Sequence, residues 1–225
     1  GMPSGAKYVE SMNNFGFAAG HSRGALRWTN LGDAEDWPTT NELVFNQDEA
    51  DDITGLKKFE TTLVVFCQKS LFHVTGFGVL DIEVVAPVFR EGCTSNRSIV
   101  TVPGYGLFWW SKAGLVVSKD GLEMDFPMVR KLQSTLTSIN QAQNTLFHGT
   151  HDPNQKRVMM WVATGASTTM NLRIDYYYDY DAFYLHTGTG GAMASSGTIV
   201  RSGLPKVYVG MYGSSDVYVH EQTGA

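Results

Sequence analysis

Five times along this sequence, two β-rich runs flank a short polar or glycine-bearing turn. The segments are "FGFAAGHSRGALRWTN" (15–30), "TLVVFCQKSLFHVTG" (62–76), "GLFWWSKAGLVVSKDG" (106–121), "RVMMWVATGASTTMNLRIDYYY" (157–178) and "KVYVGMYGSSDVYVHE" (206–221). Their turns centre near residues 22, 68, 113, 166 and 213, so successive spacings are 46, 45, 53 and 47. A hairpin cannot bury both of its faces alone, so a regular series of them must stack on one another.

The local patterns agree with strands. "KVYVG" and "DVYVH" alternate, as half-buried strands do, whereas "LVVF" and "LFWW" are continuous apolar runs expected of strands covered on both faces. The stretches 53–59, 95–103, 144–152 and 197–203 supply further strands between the hairpins. Helical signals are poor; only 128–146 has the makings of a turn or two. Four short strands with their turns need roughly 40–45 residues. The chain is therefore expected to be all-β, a five-bladed β-propeller, with a β-sandwich or jelly roll as the rival. Gly1 ahead of Met2 reads as an expression remnant, and residues 3–225 as one propeller domain.

Glycine numbers 24 and aromatic residues make up 12 %, which suits short strands and tight turns. A net charge of −5 without a basic cluster argues against specific nucleic-acid binding. No apolar run approaches the ~20 residues needed to span a membrane, and no signal peptide is visible. Cys67 and Cys93 are too few for a disulfide framework and read as buried thiols.

Acid concentrates in one region. Between Arg27 and Lys57 lie eight Asp or Glu residues and no base. "RWTNLGDAEDWP" (27–38) opens that region: Gly32-Asp33 marks a turn and Trp37-Pro38 closes a corner. Three roles are open to these acids: capping turns, holding a divalent cation through Asp48, Glu49, Asp51 and Asp52, or forming a functional acidic surface. The glycine and spacing of a calcium-binding loop are missing.

Catalytic motifs are missing too. Asp33, Asp36, Asp120, Asp175, Asp179 and Asp181 could serve a glycosidase only if two of them faced each other across a pocket. The histidines are His21, His73, His148, His151, His186 and His220; the pair His148 and His151 falls in what reads as a Gly/Asp/Pro turn without a third donor. The glycine-rich "HTGTGGAMASSGT" (186–198) reads as an inter-strand loop. Tyr176, Tyr177, Tyr178, Tyr180, Phe183 and Tyr184 could line a sugar-binding groove, although alternation turns about half of them inward. No catalytic, cofactor-binding or metal residue is assigned, and no cofactor is expected.

Two blocks carry a family resemblance. The first runs through Trp28, Thr29, Gly32, Asp33, Trp37 and Pro38, then Ile53, Thr54, Gly55, Leu56, Val64, Val65, Phe66, Ser70, Leu71 and Gly76. The second contains Gly92, Cys93, Arg97, Ser98, Trp109, Ser111 and Gly114. Over about residues 15–125 the chain resembles the β-propeller proteins of tailed-bacteriophage tails, the nozzle, hub and packaged-DNA stabilisation proteins. The resemblance implies a non-enzymatic virion component of a tail or DNA exit channel. Its partners would be other tail proteins or itself. A lectin-like propeller that binds a glycan is the alternative, and a five-bladed glycosidase ranks below it.

Overall fold

The computed structural model describes residues 1–45, 51–78, 81–85, 91–119, 123–187 and 193–219. Asp48, Glu49, Asp120 and His220 lie outside them. The chain divides into two compact units, Gly1–Asn96 with Asp120–Met124, and Arg97–Lys119 with Asp125–Ala225.

The first unit holds two four-stranded antiparallel meanders. Sheet 1 comprises β1 (Tyr8–Met12), β2 (Phe15–Ala19), β3 (Ala25–Trp28) and β4 (Glu42–Val44). Sheet 2 comprises β5 (Ile53–Phe59), β6 (Thr62–Cys67), β7 (Leu71–Thr75) and β8 (Glu83–Val85). Asn13 and Asn14 join β1 to β2 with φ of 51° and 63°, the left-handed pair that a two-residue turn matched to strand twist requires. Met12, Phe15, Phe17, Leu26 and Trp28 of sheet 1 pack with Leu56, Leu63, Val65 and Val74 of sheet 2 to form the core of this unit.

The second unit holds three meanders. Sheet 3 comprises β9 (Val100–Val102), β10 (Gly106–Ser111) and β11 (Gly114–Ser118). Sheet 4 comprises β12 (His148–Asp152), β13 (Arg157–Val162), β14 (Leu172–Tyr177) and β15 (Ala182–Thr187). Sheet 5 comprises β16 (Met193–Arg201), β17 (Leu204–Met211) and β18 (Val217–Val219). One face of sheet 4 meets sheet 3, with the Tyr105 and Tyr178 rings 4.6 Å apart. Its other face meets sheet 5, where the Thr150 and Thr198 hydroxyls lie 3.0 Å apart.

All five expected hairpins form, as β2–β3, β6–β7, β10–β11, β13–β14 and β17–β18. The runs "LVVF" and "LFWW" are buried at every position, as continuous apolar strands should be. The expected strands at 95–103 and 144–152 are shorter than read, since each begins with a 3₁₀ turn, Asn96–Ser98 and Gln141–Leu146. Sheet 3 differs from a four-strand plan. Among the described residues, only Asp125 bridges back to Val117 before Pro127, with its fixed φ and missing N–H, starts helix α1 (Pro127–Lys131). Helix α2 (Gln133–Ser138) follows, so 128–146 is more helical than its Ser/Thr content suggests. The stretch 186–198 is not simply a loop either: its ends belong to β15 and β16, and 188–192 lie outside the described residues.

Candidate functional site

The tryptophan corner is built as a turn. Asp33 Oδ1 accepts from the Glu35 and Asp36 backbone N–H groups at 3.0 and 3.3 Å. Gly32 takes φ of 74° and donates to the Asn14 carbonyl. Trp37 lies over Gly16, and its indole N–H donates to Ala34 at 2.9 Å. Asp36 accepts from the Asn30 side chain at 2.6 Å. Asp33 thus caps local backbone as short Asx side chains do.

Asp51 is not a solvated cation ligand. It is buried, and its carboxylate accepts from the Lys69 N–H at 2.9 Å and the Ser70 hydroxyl at 2.6 Å, which fixes the β6–β7 turn. Asp52 pairs with Arg23 at 3.3 Å. Among the described residues, no group of three or more His, Cys, Asp or Glu converges to hold a metal ion. Cys67 and Cys93 are buried thiols; burial and nearby Asp51 push the Cys67 thiol up to about 12, so it stays protonated and unreactive.

Two further glycosidase candidates form ion pairs. Asp179 pairs with Lys156 at 2.8 Å. Asp181 pairs with Lys131 at 2.6 Å and accepts from the Tyr176 hydroxyl at 3.0 Å. Burial works to raise the Asp181 carboxyl, and the bonds from Lys131 and Tyr176 overcome it, holding it below the usual range.

Asp175, one of the six carboxylates considered for a glycosidase, is the most deeply placed of those described. It sits fully buried inside β14. Arg157 Nη1 reaches its carboxylate at 2.6 Å, Arg173 Nε at 2.8 Å and His186 Nε2 at 3.1 Å. Arg157 also donates to Asp152 at 3.0 Å. These residues share the face of sheet 4 that meets sheet 5. Two arginines and two carboxylates cancel there, so this is an ionic staple and not a facing pair of catalytic carboxylates.

His148 and His151 stand on strand β12 and not in a turn. Their alternation sends them to opposite faces: His148 stacks on Trp161 and bonds Ser196 at 2.8 Å, while His151 bonds the Tyr178 hydroxyl at 3.1 Å. Burial, with Arg97 adding to it, pulls His148 down to about 4, so it is neutral at physiological pH.

The aromatic run divides by alternation. Tyr176 is buried against Phe108 and Phe183. Tyr180 and Tyr184 point outward, 80 % and 60 % exposed.

What sequence reading missed is the outer face of sheet 5. Register places Ile199, Arg201, Leu204, Lys206, Tyr208, Val217 and Val219 on one face. Val207 and Val209 point the other way, into the core. On the outer face Leu204 and Val217 are each 64 % exposed and Ile199 54 %. The alternation of "KVYVG" was visible in the sequence, but both of its faces carry apolar residues, so nothing there marked one as uncovered. Contiguous exposed apolar surface of this kind marks interaction sites.

No protein-family model and no curated protein matches this sequence. The fold does have likenesses: 163 solved chains match it, and a scaffold so widely used carries no activity by itself. One is the dihydro-heme d1 dehydrogenase NirN in complex with DHE, a β-propeller. It matches with a TM-score of 0.57 and 10 % sequence identity, over 93 % of this chain and 43 % of that one. This chain thus spans less than half of NirN's length. At that identity the likeness is one of fold, and the fold is all-β, a propeller-like succession of antiparallel sheets.

Proposed function

We propose that this chain is a non-enzymatic structural protein that acts through protein–protein assembly, built on a five-bladed propeller plan. In the same reading it is a component of a bacteriophage tail or DNA exit channel, assembled in the bacterial host's cytoplasm. The observation that carries the assembly reading is the exposed apolar face of sheet 5, which runs from Leu204 beside the β16–β17 turn to Val217 opposite Gly210. The five-blade plan draws on five successive antiparallel meanders recurring at a near-regular spacing.

The tail assignment draws on the two sequence blocks, and their residues do structural work. Gly92-Cys93 lies against the end of β6, with Cys93 N–H donating to the Cys67 carbonyl at 2.9 Å. The Ser98 hydroxyl accepts from the Trp110 N–H at 3.1 Å. The exposed acids of the corner suit a conduit wall, because like charge keeps phosphate from adhering.

The test is to mix the purified chain with the tail and portal proteins of its source particle. Co-sedimentation that is lost in Val217→Glu is the expected result. Duplex DNA anisotropy should stay flat at moderate salt; tight, salt-sensitive binding would count against the conduit role.

One observation favours a second reading, a glycan-binding propeller: Tyr180 and Tyr184 are the outward-facing aromatics of sheet 4. Saturable quenching of tyrosine fluorescence by a defined oligosaccharide, abolished in Tyr184→Ala, would move the assignment there.

A further inference from the structure

We propose that the outer face of sheet 5 docks head to tail onto sheet 1 of a second copy of this chain. The proposal deepens the assembly reading and rests on it. Two surfaces, one in each unit, carry it.

The sheet 5 surface is apolar along Ile199, Leu204 and Val217, and among the described residues it carries Arg201 beside the β16–β17 turn. Paired with its own copy across a two-fold axis, this face offers Arg201 no carboxylate among the described residues. A partner carrying apolar side chains and carboxylates fits it better.

Sheet 1 presents such a surface. A cleft of about 810 Å³ opens beside β1, lined by Met2, Val9, Ser11, Trp37 and the carboxylates Glu10 and Glu35. Val9 and Met2 are 58 % and 54 % exposed. Glu10 faces Lys57 at 3.8 Å, whereas Glu35 has no ion pair among the described residues. Apolar surface therefore meets apolar surface, and Arg201 meets Glu35. The mode is the one sheets 4 and 5 already use within the chain, sheet stacked face to face on sheet. Because the two surfaces differ, the contact is heterologous: a copy docked through sheet 5 still offers sheet 1, and its partner still offers sheet 5. Copies add until they close a ring or extend a filament.

Sedimentation velocity of the full chain across a concentration series tests this. The expected result is a mass that grows with concentration, and a Val217→Glu variant that stays monomeric with an unchanged circular dichroism spectrum. Arg201→Glu should weaken association roughly two- to fivefold, the range for a rim ion pair. Adding Glu35→Arg to the same chain should restore it, since each copy then meets its reversed complement. A wild-type chain that stays monomeric at about 100 µM, a range in which even weak specific contacts register, overturns the proposal. So does association that Glu35→Arg leaves untouched. A monomer that still captures tail proteins through sheet 5 sinks this inference and leaves the assembly reading standing; a monomer that captures none counts against both.

Discussion

At the scale of single residues, Asp33 caps backbone while Asp175 neutralises arginine, and Asp175 shows the energetic stakes. Arg157 is fully buried, and its charge is tolerable only because Asp152 and Asp175 answer it. Asp175→Asn removes one carboxylate from beneath two guanidinium groups. Urea denaturation should show a loss of about 3–5 kcal/mol, the cost of leaving a buried cation without its partner. A loss below about 1 kcal/mol would mean that water or Asp152 takes over. His148 makes a second prediction. Its folded pKa of about 4 lies below the ordinary 6.5, so the unfolded chain binds a proton that the folded chain refuses. Stability from this group is fully present above pH 6.5. It falls away as pH drops toward 4, by roughly 3 kcal/mol in total. His148→Phe keeps a ring on Trp161, and its stability should lose that slope between pH 6.5 and 4, measured by denaturant midpoints against the wild type.

At the scale of elements, turns explain why so much of the fold was legible. Five hairpins were placed because Gly, Asn and Ser-Gly turns interrupt apolar runs, and a strand's period of two is a local property. Ser202 and Gly203, with φ of 53° and 77°, join β16 to β17 as such a pair should. Legibility failed wherever the deciding neighbour was distant in sequence. His148 sits beside Gly149 and Pro153, which read as a turn, yet Trp161 and Ser196 hold it in a strand. Asp175 lay hidden in "IDYYYDYD" because the arginines that bury it come from β13 and from its own strand two residues away. Nothing local marks why Gly92 must be glycine, and the structure supplies the reason. A Cβ there would fall well inside contact distance of the Cys67 carbonyl oxygen and the Gln68 backbone. Gly92→Ala should therefore destabilise by about 1–3 kcal/mol or more, the cost of forced overpacking. Gly197 is the control: nothing lies within 4 Å of its would-be Cβ, so Gly197→Ala should be neutral or slightly stabilising in the same thermal melts. Equal effects at both sites would show that the 92–93 segment is free to move away from β6.

At the scale of the whole molecule, each of the two units has its own apolar cluster among the described residues. Leu63 belongs to a cluster with Phe15, Phe17 and Val65 in the first unit. Trp110, Met160, Ile174 and Val209 belong to another in the second. Stacked sheets draw stability from their immediate neighbours, so damage to one cluster should remain largely within it. Leu63 is completely buried, and Leu63→Ala should cost about 2–5 kcal/mol through lost transfer energy and the cavity left behind. Native-state hydrogen exchange locates where that cost falls. Amides of β5, β6 and β7 should exchange faster by the full amount, while those of β13 and β14 keep their wild-type protection. If protection falls equally in both units, the chain opens as a single cooperative body, and the division of its core does not govern how it unfolds.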